Sequence, residues 1–189
     1  MNILSIILSL LLVVPENALV ERIALPEGDL HWTNVRPENV RFCVPAGFTD
    51  GDGKILHSYM LDGKEVKGTS VLRMKVSLKG HSFTISPRWE SDEGFQQYTL
   101  VLAGKAMPFP KDSREYVRRA LCKDGDEVFL LESKSPMTLA DFARECALYA
   151  TDAVYLDMGR FGWGYCDGRT LSSWAVFWRD RQTNWIYIR

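Results

Sequence analysis

The sequence has no C-x-x-C pair, no metal-ligand spacing among His31, His57 and His81, and no long run of charge of one sign. Scattered single cysteines and histidines do not assemble the closely spaced ligand pairs of a zinc site, which argues against a bound metal. The 23 basic and 24 acidic residues are interspersed and leave a formal net charge of −1. A nucleic-acid partner requires a basic face that neutralises phosphates, and an anionic membrane surface requires a polybasic cluster; neither pattern is present. There is no G-x-S-x-G stretch and no evident Cys–His pairing, so serine or cysteine hydrolase chemistry drops far down the order. Internal repeats, interdomain linkers and apolar runs of the ~20 residues needed to span a bilayer are also missing.

What remains is an ordinary globular composition over 189 residues: 46% hydrophobic, 25% charged and 12% aromatic, with six tryptophans. That is enough chain for one domain with a sizeable core. The apolar run Ile3–Val14, ended by Pro15, has the length of a signal-peptide core, although no Lys or Arg precedes it. Residues 1–18 are therefore expected to direct export to a periplasmic or secreted location, and residues 19–189 to form the domain. Export permits disulfides among Cys43, Cys122, Cys146 and Cys166 in any of three pairings; buried free thiols are the alternative.

The first half reads as antiparallel strands punctuated by turns. Val40–Val44, Lys54–Leu61, Lys64–Val66, Val71–Leu78, His81–Ile85 and Gln97–Leu102 alternate in the manner of strands, and Asp62-Gly63 is a strong hairpin signal. In the second half, Tyr116–Leu121 and Glu127–Glu132 flank Asp124-Gly125. Thr138 then caps a helix, with Asp141 as its capping partner and Leu139, Phe142, Ala143, Cys146 and Tyr149 at helical spacing. Ala153–Leu156 follows as an apolar strand, and 184–189 alternates as a last one. Strand, helix, strand in that order predicts an α+β domain: a mixed, mostly antiparallel sheet with a crossover helix packed on it.

The residues from Tyr116 to Gly159 form a recognisable series. Arg118-Arg119-Ala120-Leu121-Cys122, Met137-Thr138-Leu139-Ala140-Asp141-Phe142-Ala143 and Tyr155-Leu156-Asp157-Met158-Gly159 occur in order, and Arg181 and Asn184 open the closing strand. This series resembles the phosphodiester glycosidase domain family, whose members remove a sugar such as N-acetylglucosamine from a phosphodiester. The resemblance implies a hydrolase with Asp157 and Arg118 as the catalytic pair. It further implies Gly159, Asn184, Arg181, Gln96 and Tyr155 as substrate-binding positions, a small-molecule or glycan substrate, and no cofactor. Tyr155 and Pro45 stand where the family carries asparagines, and Met158 stands where it carries a glycine. Those replacements point to different substrate contacts, or to a carbohydrate- or phosphate-binding module without turnover.

The chemistry fits the residue types. A carboxylate at the end of a buried strand, opening into the glycines Gly159, Gly162 and Gly164, is held rigidly while the backbone beyond it can approach a ligand. Partial burial would raise its pKa toward general acid or base work. A guanidinium binds two phosphate oxygens at once, and of two successive strand arginines only one can face a given side. A second carboxylate is not identified; Glu93, Glu132, Asp152 and Asp167 are open candidates. Trp163 and Trp174 could stack on a sugar, with core packing the plainer role.

Overall fold

The computed structural model of the chain describes residues 18–110, 114–158, 162–171 and 182–189. They form three antiparallel sheets. The first has the order β1 (Val20–Ala24), β12 (Glu127–Ser133), β11 (Arg119–Asp124), β13 (Asp152–Leu156), β9 (Thr99–Leu102) and β10 (Lys105–Ala106). The second runs β15 (Arg169–Leu171), β14 (Gly164–Cys166), β3 (Phe42–Pro45), β16 (Trp185–Ile188) and β2 (His31–Thr33). The third runs β5 (Lys64–Val66), β4 (Tyr59–Leu61), β8 (Glu93–Phe95), β6 (Lys75–Lys79) and β7 (Ser82–Ser86).

Period-2 alternation decides what each strand buries. On the first sheet, Leu121, Leu130, Val154 and Leu156 point to one side. There they meet Phe42, Val44 and Ile186 of the second sheet and Val76, Leu78 and Phe95 of the third, so one core joins all three sheets. On the opposite side, Ala120, Cys122, Phe129, Leu131, Ala153 and Tyr155 pack with Phe142, Ala143 and Cys146 of α1 (Leu139–Cys146). The hairpin turns follow their sequences: Asp62-Gly63 and Asp167-Gly168 each place two residues at positive φ, the geometry that matches strand twist in a two-residue loop.

The expected α+β architecture with a crossover helix is not what the chain forms. The fold is β-rich, every paired strand among the described residues is antiparallel, and the described part holds a single helix of eight residues. The strands on either side of that helix are not neighbours: β13 pairs with β11 and β9, and β11 separates it from β12. The helix itself contacts β9 and β10 at the sheet's edge. Strands β1, β2, β8, β14 and β15 were not legible in the sequence; the last four have three residues each, too few to show periodicity.

All four cysteines are buried free thiols. No helix among the described residues is long and apolar enough to cross a membrane. The apolar run Ile3–Val14, and with it the export expectation, lies outside the described residues.

Candidate functional site

Arg118 immediately precedes β11 and Asp157 immediately follows β13. These strands pair with Arg119 opposite Leu156, so one step further along the register Arg118 lies opposite Asp157. Both fall on the helix side of the sheet, in parity with Ala120 and Tyr155, whereas Arg119 falls on the side of Leu121. Arg118 is 7% exposed and Asp157 5% exposed, and both open into one cavity of about 820 Å³. Its other walls include Phe48, Tyr98, Phe109, Arg114, Tyr116 and Tyr155.

Backbone carbonyls hold the guanidinium in place. Arg118 Nε donates to Met137 O at 3.1 Å and Nη2 donates to Arg114 O at 3.2 Å. Nη1 donates to the Tyr155 hydroxyl at 3.4 Å, and the charge lies over the Tyr116 and Tyr155 rings, 5.1 and 5.6 Å from their centroids. At the root of the side chain, Arg118 N donates to Ser133 Oγ and Arg118 O accepts from Ser133 N, both at 2.8 Å. Among the described residues, three of the five guanidinium donors are thereby committed to orientation. Tyr155 is pushed above its ordinary pKa by burial, partly opposed by the Arg118 charge. It therefore stays a phenol at neutral pH, accepting from Arg118 while keeping its own proton to donate.

The floor is joined to the second sheet. Asp157 N donates to Ala46 O at 3.0 Å, just beyond the end of β3. Asn184 then fixes the next residue: its Oδ1 accepts from Gly47 N at 2.5 Å and its Nδ2 donates to Gly47 O at 2.9 Å. Phe48 follows and reaches the cavity wall. Asn184 is fully buried and does not line the cavity, so it braces the site without facing it.

Tyr98 was not singled out by sequence reasoning, and a bulge explains why. Ala153 pairs with Val101 but Val154 pairs with Thr99, which leaves Leu100 as an extra residue in β9. Leu100 and Val101 consequently both face the helix-side core, and the shifted parity turns Tyr98 toward the cavity beside Tyr155, whose N–H it accepts at 2.8 Å. The available signal was the unbroken apolar run Leu100-Val101-Leu102.

Comparison with known proteins gives a fold and no family. No protein-family model matches the sequence, and no curated protein does. Among solved structures, the chain is similar to a hypothetical protein from Synechocystis, at a TM-score of 0.55 and 12% identity. The similarity covers 87% of this chain and 57% of that one, so the chain spans a little over half its neighbour's length. At that identity the likeness is one of fold alone.

The remaining expected positions divide. Tyr155 lines the cavity with Arg118 and Asp157. Gln96 does not: its Oε1 accepts from Ser58 N at 3.2 Å and its Nε2 donates to Leu72 O at 2.5 Å, tying the start of the Gln96–Tyr98 segment to neighbouring backbone. Gly159, Arg181 and Trp174 lie outside the described residues. Trp163 packs edge-on against Trp185 at 6.0 Å on the outer face of the second sheet. The four carboxylates held open as a second acid are committed elsewhere. Glu132 binds Arg119, Glu93 accepts from Trp32 N, Asp152 accepts from Ala103 N and Asp167 pairs with Arg41. Among the described lining residues, Asp157 is the one carboxylate.

Proposed function

We propose that the chain hydrolyses a sugar phosphodiester or a closely related anionic glycoside in this cavity. The observation that carries the proposal is the cross-strand placement of Arg118 and Asp157 on one concave surface, although 39 positions separate them in the sequence. Arg118 and the Tyr155 hydroxyl bind the phosphate oxygens. Asp157 takes a proton from a water that attacks the anomeric carbon. A new carbon–oxygen bond forms, the bond to the bridging oxygen breaks, and its electron pair leaves with the phosphate monoester.

One carboxylate is sufficient for that reaction. A phosphate monoester, with a second pKa of about 6, is stable as an anion and leaves with little proton donation. An alkoxide, by contrast, needs the acid member of a carboxylate pair. The lining thus favours phosphate-linked over alkyl-linked substrates. In an assay of phosphate-linked and alkyl N-acetylglucosaminides, only the former are expected to turn over, and Asp157→Asn should lower kcat by about 10²–10⁴-fold, the usual worth of a positioned base. Turnover unchanged by Asp157→Asn would remove that residue from the mechanism.

A binding module is the second reading, favoured by Tyr155, Pro45 and Met158 at positions where the resembling family carries asparagine or glycine. Retained binding of a sugar phosphate without turnover across a broad panel would establish it. Export, supported by the apolar run Ile3–Val14, belongs to the same proposal.

A further inference from the structure

The cavity has two chemically distinct ends. The polar end is formed by Arg118, whose fork meets the Tyr155 hydroxyl and the Arg114 carbonyl, and by Asp157 across the strand register. From Tyr155 a continuous aromatic wall runs outward: Tyr155 to Phe48 at 5.6 Å, Phe48 to Tyr98 at 5.4 Å in an edge-to-face arrangement, and Tyr98 to Phe109 at 6.0 Å, also edge-to-face. The wall ends at the surface, where Tyr98 is 37% exposed, and Tyr116 on the Arg118 side is 53% exposed. Exposed aromatic side chains concentrated at one rim are uncommon unless something covers them.

Hydroxyl supply distinguishes what that wall can hold. A sugar ring carries several hydroxyls, and each one removed from water without a partner costs free energy. Phe48, Phe109, Pro110 and Leu139 offer none, and among the described lining residues the side-chain hydroxyls are those of Tyr98, Tyr116 and Tyr155 alone. The neighbouring amides are already used: Gln96 on Ser58 and Leu72, Gln97 on Ala46 and Tyr98, and Asn184 on Gly47. The wall offers ring faces and edges, which suit another flat, unsaturated ring.

We infer that the ligand of this cavity is an aromatic phosphate ester: the phosphate sits at Arg118 and its other substituent, an aryl group or a nucleobase-bearing alcohol, lies along Phe48, Tyr98 and Phe109. The inference builds on the phosphate-ester reading above and names the arm opposite the sugar. It depends on binding alone, so it stands or falls separately from turnover.

The test is calorimetric titration of the full chain with inorganic phosphate, methyl phosphate, cyclohexyl phosphate and phenyl phosphate. Phenyl phosphate is expected to bind about tenfold more tightly than methyl phosphate, equivalent to about 1.4 kcal/mol, and about threefold more tightly than cyclohexyl phosphate. Tyr98→Ala should reduce the phenyl-to-methyl ratio to about twofold, and Phe109→Ala provides a second probe should the first variant lose its fold. A phenyl-to-methyl ratio near one, or cyclohexyl and phenyl phosphate binding equally, overturns the aromatic arm while leaving the phosphate site intact. Failure of all four to bind, or binding indifferent to Arg118→Met, overturns the phosphate site and the aromatic arm with it. A phenyl preference without turnover of any glycosyl substrate sustains the inference and sinks only the hydrolase.

Discussion

Arg118 and Arg119 are adjacent in the chain and separated by a sheet. Arg119 is fully buried, pairs with Glu132 at 2.8 Å and donates to Gly162 O at 3.0 Å. Arg118 is held on the other face by carbonyls and opens to the cavity. Alternation alone required the two to part; the resemblance to a family singled out Arg118, the one that faces the cavity. Asp157 was singled out by the same resemblance, since a carboxylate ending an apolar strand does not by itself mark a site. Asn184 was legible as a position and not as a role, since nothing in the sequence says that both amide atoms are used on Gly47. Asn184→Ala would leave a buried N–H and a buried C=O of Gly47 without partners, at an expected cost of about 2–4 kcal/mol. Urea unfolding measures that cost, and ligand affinity per folded molecule should change little, because Asn184 does not touch the cavity. Affinity lost in proportion to a cavity contact, with stability intact, would contradict the bracing role.

Among the elements, α1 was the most legible and the crossover built on it the least. Thr138 Oγ1 accepts from Asp141 N at 3.1 Å, the N-cap that the spacing announced, while its hydroxyl donates to the Asp141 carboxylate in place of the backbone N–H that a full capping box would use. Phe142, Ala143 and Cys146 form the buried stripe. Thr138→Ala is expected to cost about 1 kcal/mol, read as a lower urea midpoint with unchanged slope. A strand–helix–strand series, however, carries no information about which strand lies between its ends, and here β11 does. Strand order is a long-range property fixed by core complementarity, and local periodicity cannot report it. The bulge in β9 is a second instance: one unpaired residue reverses the facing of everything before it, and Tyr98 changes sides.

Over the whole molecule, three sheets close on one core and the thiols lie within it or against it. Burial pushes Cys43 up to about 11, against the pull of Arg36 and Arg119, and raises Cys146, which also lies beside the Cys122 thiol. Cys166 is raised by burial as well. A thiol whose folded pKa exceeds its unfolded value of about 8.5 binds its proton more tightly in the folded state. Its contribution is complete below that value and is lost as pH rises through the folded pKa. For Cys43, unfolding free energy should therefore fall between pH about 8.5 and 11, by up to about 1.4 kcal/mol per pH unit. Urea midpoints across that range should decline less steeply in Cys43→Ala than in wild type. Equal slopes would show that Cys43 does not contribute.

The hydrogen bond from Asp157 to Ala46 has a consequence for motion. Because it crosses from one sheet to another, the carboxylate cannot swing away on a loop of its own; displacing it means prising apart the seam that also encloses the shared core. The cavity floor is consequently part of the assembled scaffold, with a shape set when the chain folds.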